Sequence, residues 1–177
     1  MDLLDFEQAE MYFDEPISAE VEHLIAMAAA NYGSDDGELM LLRANFIAPQ
    51  HLVVLVALYR YYFYQHRLED ALLVAESTLA VVGRRLEFPD TWLYLREVNV
   101  GEGVMRSMGL VRFYLMVLKA TGYVNLRLGN FDTGQAMLEK LVELDSHDRM
   151  GGKALLEVLQ QSMINETNAE RNSRWTN

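Results

Sequence analysis

Four histidines, His23, His51, His66 and His147, are the side chains best suited by type to metal ligation or proton transfer at neutral pH. None stands at helical spacing from another histidine, and none belongs to a cluster with metal-ligand spacing, so ordinary polar surface is expected for all four. Cysteine is absent, which excludes disulfides, thiolate zinc sites, iron–sulfur ligation by this chain and thiol catalysis. Glu20 and Glu22 are two apart and do not share a helix face. Gly101-Glu102-Gly103 follows no strand and precedes no Lys-Ser/Thr pair, so it is not a phosphate loop. There is no Gly-x-Ser-x-Gly elbow, and Ser34 lies in an acidic turn that would not activate a hydroxyl. The expectation is a non-enzymatic protein with no cofactor and no metal.

The run Tyr59-Arg60-Tyr61-Tyr62-Phe63-Tyr64-Gln65-His66-Arg67 is the densest concentration of recognition chemistry. Aromatic rings with interleaved arginine can stack on single-stranded nucleic acid, but such a platform needs a basic groove. This chain carries 26 Asp+Glu against 15 Lys+Arg, a net charge of −11. Its first 22 residues include eight carboxylates and no Lys or Arg. Neither a phosphate backbone nor an anionic membrane surface is an expected partner. On a helix, Tyr59, Tyr62 and Phe63 fall toward neighbouring helices and Tyr61 and Tyr64 elsewhere, so core packing is the favoured reading of most of these rings.

The elements that position these residues are helices. With 177 residues, 51% hydrophobic and 23% charged, the chain has the size and composition of one globular domain. Apolar residues recur at helical spacing, as in Leu68, Leu72, Ala75 and Leu79, and only Pro16, Pro49 and Pro89 interrupt them as prolines. No window approaches a transmembrane span, and the acidic first residues do not read as a secretory signal, so a cytoplasmic location is expected. Breaks fall at Gly33–Gly37, Gly83, Gly101–Gly103, Gly129-Asn130 and Gly151-Gly152. The fold class expected is all-α, built from antiparallel helical hairpins.

The pattern repeats at about 34 residues. Leu128-Gly129-Asn130-Phe131-Asp132-Thr133-Gly134 followed by Leu138 to Ser146 resembles the second half of a tetratricopeptide (TPR) repeat, with Leu118 and Gly122 on the large and small positions of its first helix. Gln65 to Ala71 with the helix Leu72–Val81 resembles the same turn and second helix, and Gly37, Leu41, Ala44 and Pro49 fall on a further copy. Small residues at Gly37, Ala71 and Gly134 would let paired helices approach, and Leu41, Ala75 and Leu138 would fill the space between hairpins. The resemblance implies a TPR-like solenoid within a single domain over 1–164. Its units lie at about 18–51, 52–85 and 115–148, with an insertion at 86–114, a capping helix over 150–164 and a flexible tail over 165–177. Within the insertion, Asp90 or Thr91 caps a short helix, and Gly101-Glu102-Gly103 frees a long helix from about Val104 to Leu128. His66 stands where the repeat prefers glycine, and Asn125 where a large apolar residue is usual.

In TPR stacks the first helices line a concave binding surface. The register puts Glu22, His23 and Ala26 there in the first unit, Val53, Val56, Arg60 and Tyr64 in the second, and Met116, Lys119, Tyr123 and Arg127 in the third. Tyr, Arg and Met are residues that interfaces favour. A competing occupant is the chain's own amphipathic segment over 2–13, whose carboxylates could meet Arg60, Lys119 and Arg127. Two families fit a small acidic chain of this kind. Asp5 to Pro16 and Gly109 to Tyr114 resemble small helical-repeat accessory factors of bacterial nitrogenase, which implies a nitrogenase component as protein partner and an accessory, protective or chaperone-like role in nitrogen fixation. The alternative resemblance, in length and repeat number, is to type III secretion chaperones or another cytoplasmic adaptor. Oligomeric state is left open.

Overall fold

Serines open the first two helices. Ser18 Oγ accepts from the Val21 amide at 3.3 Å and starts α1 (Ala19–Ala30). Ser34 Oγ accepts from the Gly37 amide at 3.3 Å and starts α2 (Asp35–Ile47). Asp35, Asp36 and Glu38 fill the first turn of α2, where the helix dipole favours negative charge. The structure, a computed structural model, describes residues 15–161. It continues through α3 (Leu52–Tyr64), α4 (Leu68–Arg85), a 3-10 turn (Trp92–Tyr94), α5 (Glu97–Arg127), α6 (Phe131–Leu144) and a last helix, α7, over 152–161. Among the described residues the fold is all-α, with no strand. The segment over 2–13 and the tail over 165–177 lie outside the described residues.

Helices pack in chain order: α1 on α2, α2 on α3, α3 on α4, α4 on α5 and α5 on α6. Three small residues govern how closely each pair approaches. A Cβ on Gly37 would stand 2.5 Å from the Asn31 carbonyl oxygen, and one on Gly134 would stand 2.6 Å from Leu126 Cδ2 and 2.8 Å from the Gly122 carbonyl oxygen. Ala71, the corresponding residue of the second pair, is fully buried. Leu41, Ala75 and Leu138, one helical turn on, are buried as well.

The turns of the second and third pairs share a hydrogen-bond pattern. Arg67 N donates to Tyr62 O at 2.9 Å, and Asn130 N to Asn125 O at 2.9 Å. His66 N donates to Phe63 O and Gly129 N to Leu126 O, both at 3.1 Å. This closure needs a left-handed residue, with φ of 57° at His66 and 82° at Gly129. Asn125 is buried and satisfied. Its amide donates to Thr121 O at 3.0 Å, and its Oδ1 accepts from Asn130 Nδ2 at 3.1 Å. A polar residue is accommodated at this packing position because it stitches its own turn.

The 86–114 stretch departs from expectation. Thr91 Oγ1 accepts from the Leu93 amide at 3.4 Å and caps the 3-10 turn as expected. Gly101 and Gly103, however, lie inside α5 and do not end a helix. The break falls at Ser107, in an extended conformation (φ −160°, ψ 105°), with Ser107 Oγ accepting from the Leu110 amide at 3.2 Å. Gly103 serves packing instead: a Cβ there would meet the Phe88 ring at 2.7 Å. Phe88 in turn lies edge-on to Tyr114, with ring centroids 5.1 Å apart. α7 closes against α6 through Gly152, whose Cβ would stand 3.0 Å from Leu141 Cδ2.

Candidate aromatic and cationic cleft

Helix α3 is buried along most of its circumference by Leu52, Val54, Leu55, Leu58, Tyr59, Tyr61 and Tyr62. Val53, Val56, Ala57 and Arg60 are half-buried, and Tyr64 is exposed. Their spacing of three or four residues places them on one side of the helix. On α5 the corresponding stripe is Met116, Lys119 and Tyr123, half-buried, and Arg127, exposed.

Between α1 and α3 lies a cleft of about 260 Å³. Ile25, Ala28, Ala29 and Tyr32 form its near wall, Leu41 contributes from α2, and Ala57, Arg60, Tyr61 and Tyr64 form its far wall. Rings carry the surface onward to α5. Phe63 lies edge-on to Tyr64 at 5.7 Å between centroids and meets Tyr123 at 6.3 Å. Tyr123 carries the Arg127 guanidinium at 5.9 Å from its ring centre, and Arg127 donates to its hydroxyl at 3.3 Å.

Arg60, Tyr64, Tyr123 and Arg127 thus come together on a connected surface. The other expected site residues do not all share it. Val56 faces a narrow seam with Phe113, Val117 and Ala120 of α5. Lys119 Nζ donates to the Met150 carbonyl, fastening the turn before α7. Val53 and Met116 are half-buried beside the cleft residues in sequence but do not line it. Glu22, His23 and Ala26 are exposed on α1, and the cleft wall is instead Ile25, Ala28 and Ala29. The reason is rotational. Val21, Leu24 and Ala28 form the buried seam of α1, so the side turned to α3 lies one position further along. Phe63, the ring that joins Tyr64 to Tyr123, falls by periodicity on the core side of α3, and the spacing carries no sign of its bridging position.

Two further sequence expectations need correction. Tyr61 is buried: its hydroxyl donates to Ser34 O at 3.0 Å, and its ring lies edge-on to Tyr32 and Tyr62. His51 is buried at the start of α3 with neither ring nitrogen hydrogen-bonded, so it is not polar surface.

A charged network borders the cleft. Arg67 donates to Glu38 at 2.6 Å and to Asp70 at 2.7 Å, and its guanidinium lies 4.6 Å from the centre of the Tyr62 ring. The two hydrogen bonds hold Arg67 more firmly protonated than usual. Burial, and then the Glu38 carboxylate that accepts from its hydroxyl at 3.2 Å, push the Tyr62 phenol up to about 12. Burial and Glu38 also raise Tyr61. Both phenols are therefore neutral donors at physiological pH.

A second cleft, of about 340 Å³, lies between α4 and the Phe88–Trp92 stretch and reaches Tyr114 and Met137. None of the expected site residues lines it. Among the described residues no group of three or more His, Cys, Asp or Glu side chains could hold a metal ion, and no helix is long and apolar enough to cross a membrane.

Fold and cleft together define, among the described residues, an all-helical array of hairpins that presents an aromatic, cation-edged surface. The chain is 48% identical over 159 residues to an uncharacterized 19.8 kDa protein in the nifW 5' region of Azotobacter chroococcum mcd 1, spanning 90% of this chain and 89% of that one, and it belongs to the family of that protein. No protein-family model and no solved structure matches it.

Proposed function

We propose that this protein is a non-catalytic, TPR-like binding module of the cytoplasm that associates with a nitrogenase component and serves it as an accessory, protective or chaperone-like factor. The observation that carries the reading is the relative from a nif region, similar over nearly its whole length. The fold is in keeping with it. Two helix pairs fall within 18–51 and 52–85, and the last part of α5 with α6 falls within 115–148, although α5 itself starts at Glu97. Two of the pairs share one turn geometry, and small residues stand at each close crossing. The cleft and the ring surface beyond it supply the means: Arg60 and Tyr64 on the cleft wall, then the faces of Phe63 and Tyr123 and the Arg127 guanidinium. Tyr and Arg anchors of this type dominate the energetics of protein interfaces. A binder of this kind can favour one conformational or assembly state of its partner by mass action, without chemistry of its own.

The test is affinity capture from cells grown under nitrogen-fixing conditions, with wild-type protein and an Arg60→Glu/Tyr64→Ala variant as paired baits. A nitrogenase component retained by the first and lost by the second is the expected result. Recovery of secretion substrates, or equal recovery of a nitrogenase component by both baits, would overturn the reading.

A further inference from the structure

Resting on the reading of the cleft as the partner-binding surface, we infer that residues 1–14 of this same chain occupy it when no partner is bound. The first support is where the described chain begins. Both carboxylate oxygens of Glu15 are held by Arg85, at 3.0 and 3.2 Å, and the same guanidinium donates to the Gln50 carbonyl at 2.7 Å. Residue 15 is thereby fixed beside the turn that precedes α3, at the end of that helix from which the cleft residues Ala57, Arg60 and Tyr64 follow. Length is the second. Fourteen residues wound as a helix span about 21 Å, whereas eleven helical steps from Val53 to Tyr64 cover about 16.5 Å, so the segment reaches the far end of the cleft.

The third support is chemical. The segment carries Asp2, Asp5, Glu7, Glu10 and Asp14, with no Lys or Arg. The cleft wall carries Arg60, and the ring surface that continues from it through Phe63 and Tyr123 carries Arg127, on a molecule that is otherwise strongly acidic. Arg60 forms no ion pair with a described residue. Leu3, Leu4, Phe6, Met11 and Phe13 bring large apolar groups for the aromatic and aliphatic walls of the cleft. An acidic amphipathic helix laid in an apolar groove is a recurrent mode of recognition, and the same mode describes what an external partner would have to supply. A tethered occupant works at high effective concentration, so it lowers the apparent affinity for the partner until displaced.

Because the chain has no cysteine, Gln8→Cys gives a unique attachment point for a nitroxide in the full-length protein. Amide signals of Ala57–Tyr64 and Tyr123–Arg127 are expected to lose most of their intensity in the paramagnetic state and to recover it on reduction. Arg60→Glu, or the milder Arg60→Ala, should weaken that loss while leaving the signals of α6 in place as a control for folding. Broadening confined to α2 or to the cleft near Trp92, or no broadening at all, would overturn the inference. So would broadening that appears only between labelled and unlabelled copies in a mixed sample, which would make a second molecule the occupant. The measurement involves no partner, so its failure leaves the capture result untouched, and failure of capture leaves it standing.

Discussion

Tyr62 places a phenol where ionisation is unwelcome. Its ring is buried, its hydroxyl donates to Glu38, and its pKa is raised to about 12 from an ordinary value of 10.0. The neutral phenol is thus favoured by the folded state, and that stabilisation is complete below pH 10 and is lost as pH rises through about 12. Tyr114, raised to about 12 by burial alone, acts in the same sense. Each such group steepens the loss of stability by about 1.4 kcal/mol per pH unit in this window. Denaturant melts of the wild type should therefore weaken sharply from pH 10 to 12. Tyr62→Phe should cost about 1 kcal/mol at pH 8 through the lost hydrogen bond, yet show a shallower alkaline slope. Equal slopes would mean that Tyr62 ionises as it does in the unfolded chain. Periodicity marks Tyr62 as core, whereas the carboxylate that accepts its hydrogen bond comes from a different helix and is invisible in local sequence.

At the level of elements, the α5–α6 crossing is one of the close packings that the repeat pattern marks. Gly134 lies so near the Gly122 carbonyl that even a methyl group would force the helices apart, and Leu138 beside it is fully buried. Gly134→Ala should cost about 1–3 kcal/mol by overpacking, and Leu138→Ala about 2–5 kcal/mol by opening a cavity. Urea melts in which both stay within a few tenths of a kcal/mol of wild type would refute the crossing. This part of the fold is legible because a small residue opposite a small residue is a local pattern with one steric meaning. Gly101 and Gly103 show the limit of that rule. A glycine can end a helix or admit a ring, and the choice at Gly103 depended on Phe88, fifteen residues earlier.

Across the molecule the hairpins are not joined equally. α4 and α5 pack along a broad interface, whereas α2 meets α3 over a narrower one that relies on Arg67, Glu38 and the Tyr61–Ser34 hydrogen bond. Helical arrays open first where neighbouring units are least coupled. In native-state hydrogen exchange, α1 and α2 are expected to exchange through a lower-energy opening than α5 and α6. Arg67→Ala should widen that difference by up to about 1 kcal/mol, since the pair is partly exposed, or roughly fivefold in rate. Uniform acceleration of all helices would show instead that the chain opens as one unit.

Local spacing is enough to give the helical class, the places where paired helices close on small residues, the turns at Gln65-His66-Arg67 and Gly129-Asn130, and the aromatic and cationic character of α3. All of these follow from residues within a helical turn or two of one another, where spacing maps directly onto a helix face. Contacts between helices set which face of α1 meets α3, that Lys119 bonds the Met150 carbonyl in the turn before α7, that Phe63 bridges Tyr64 and Tyr123, and that α5 bends at Ser107 and not at its glycines. Each of those depends on the rotation of one helix about its axis relative to another. A single residue's change of phase turns a side chain by about 100°, enough to move it from a groove wall into solvent or a core seam.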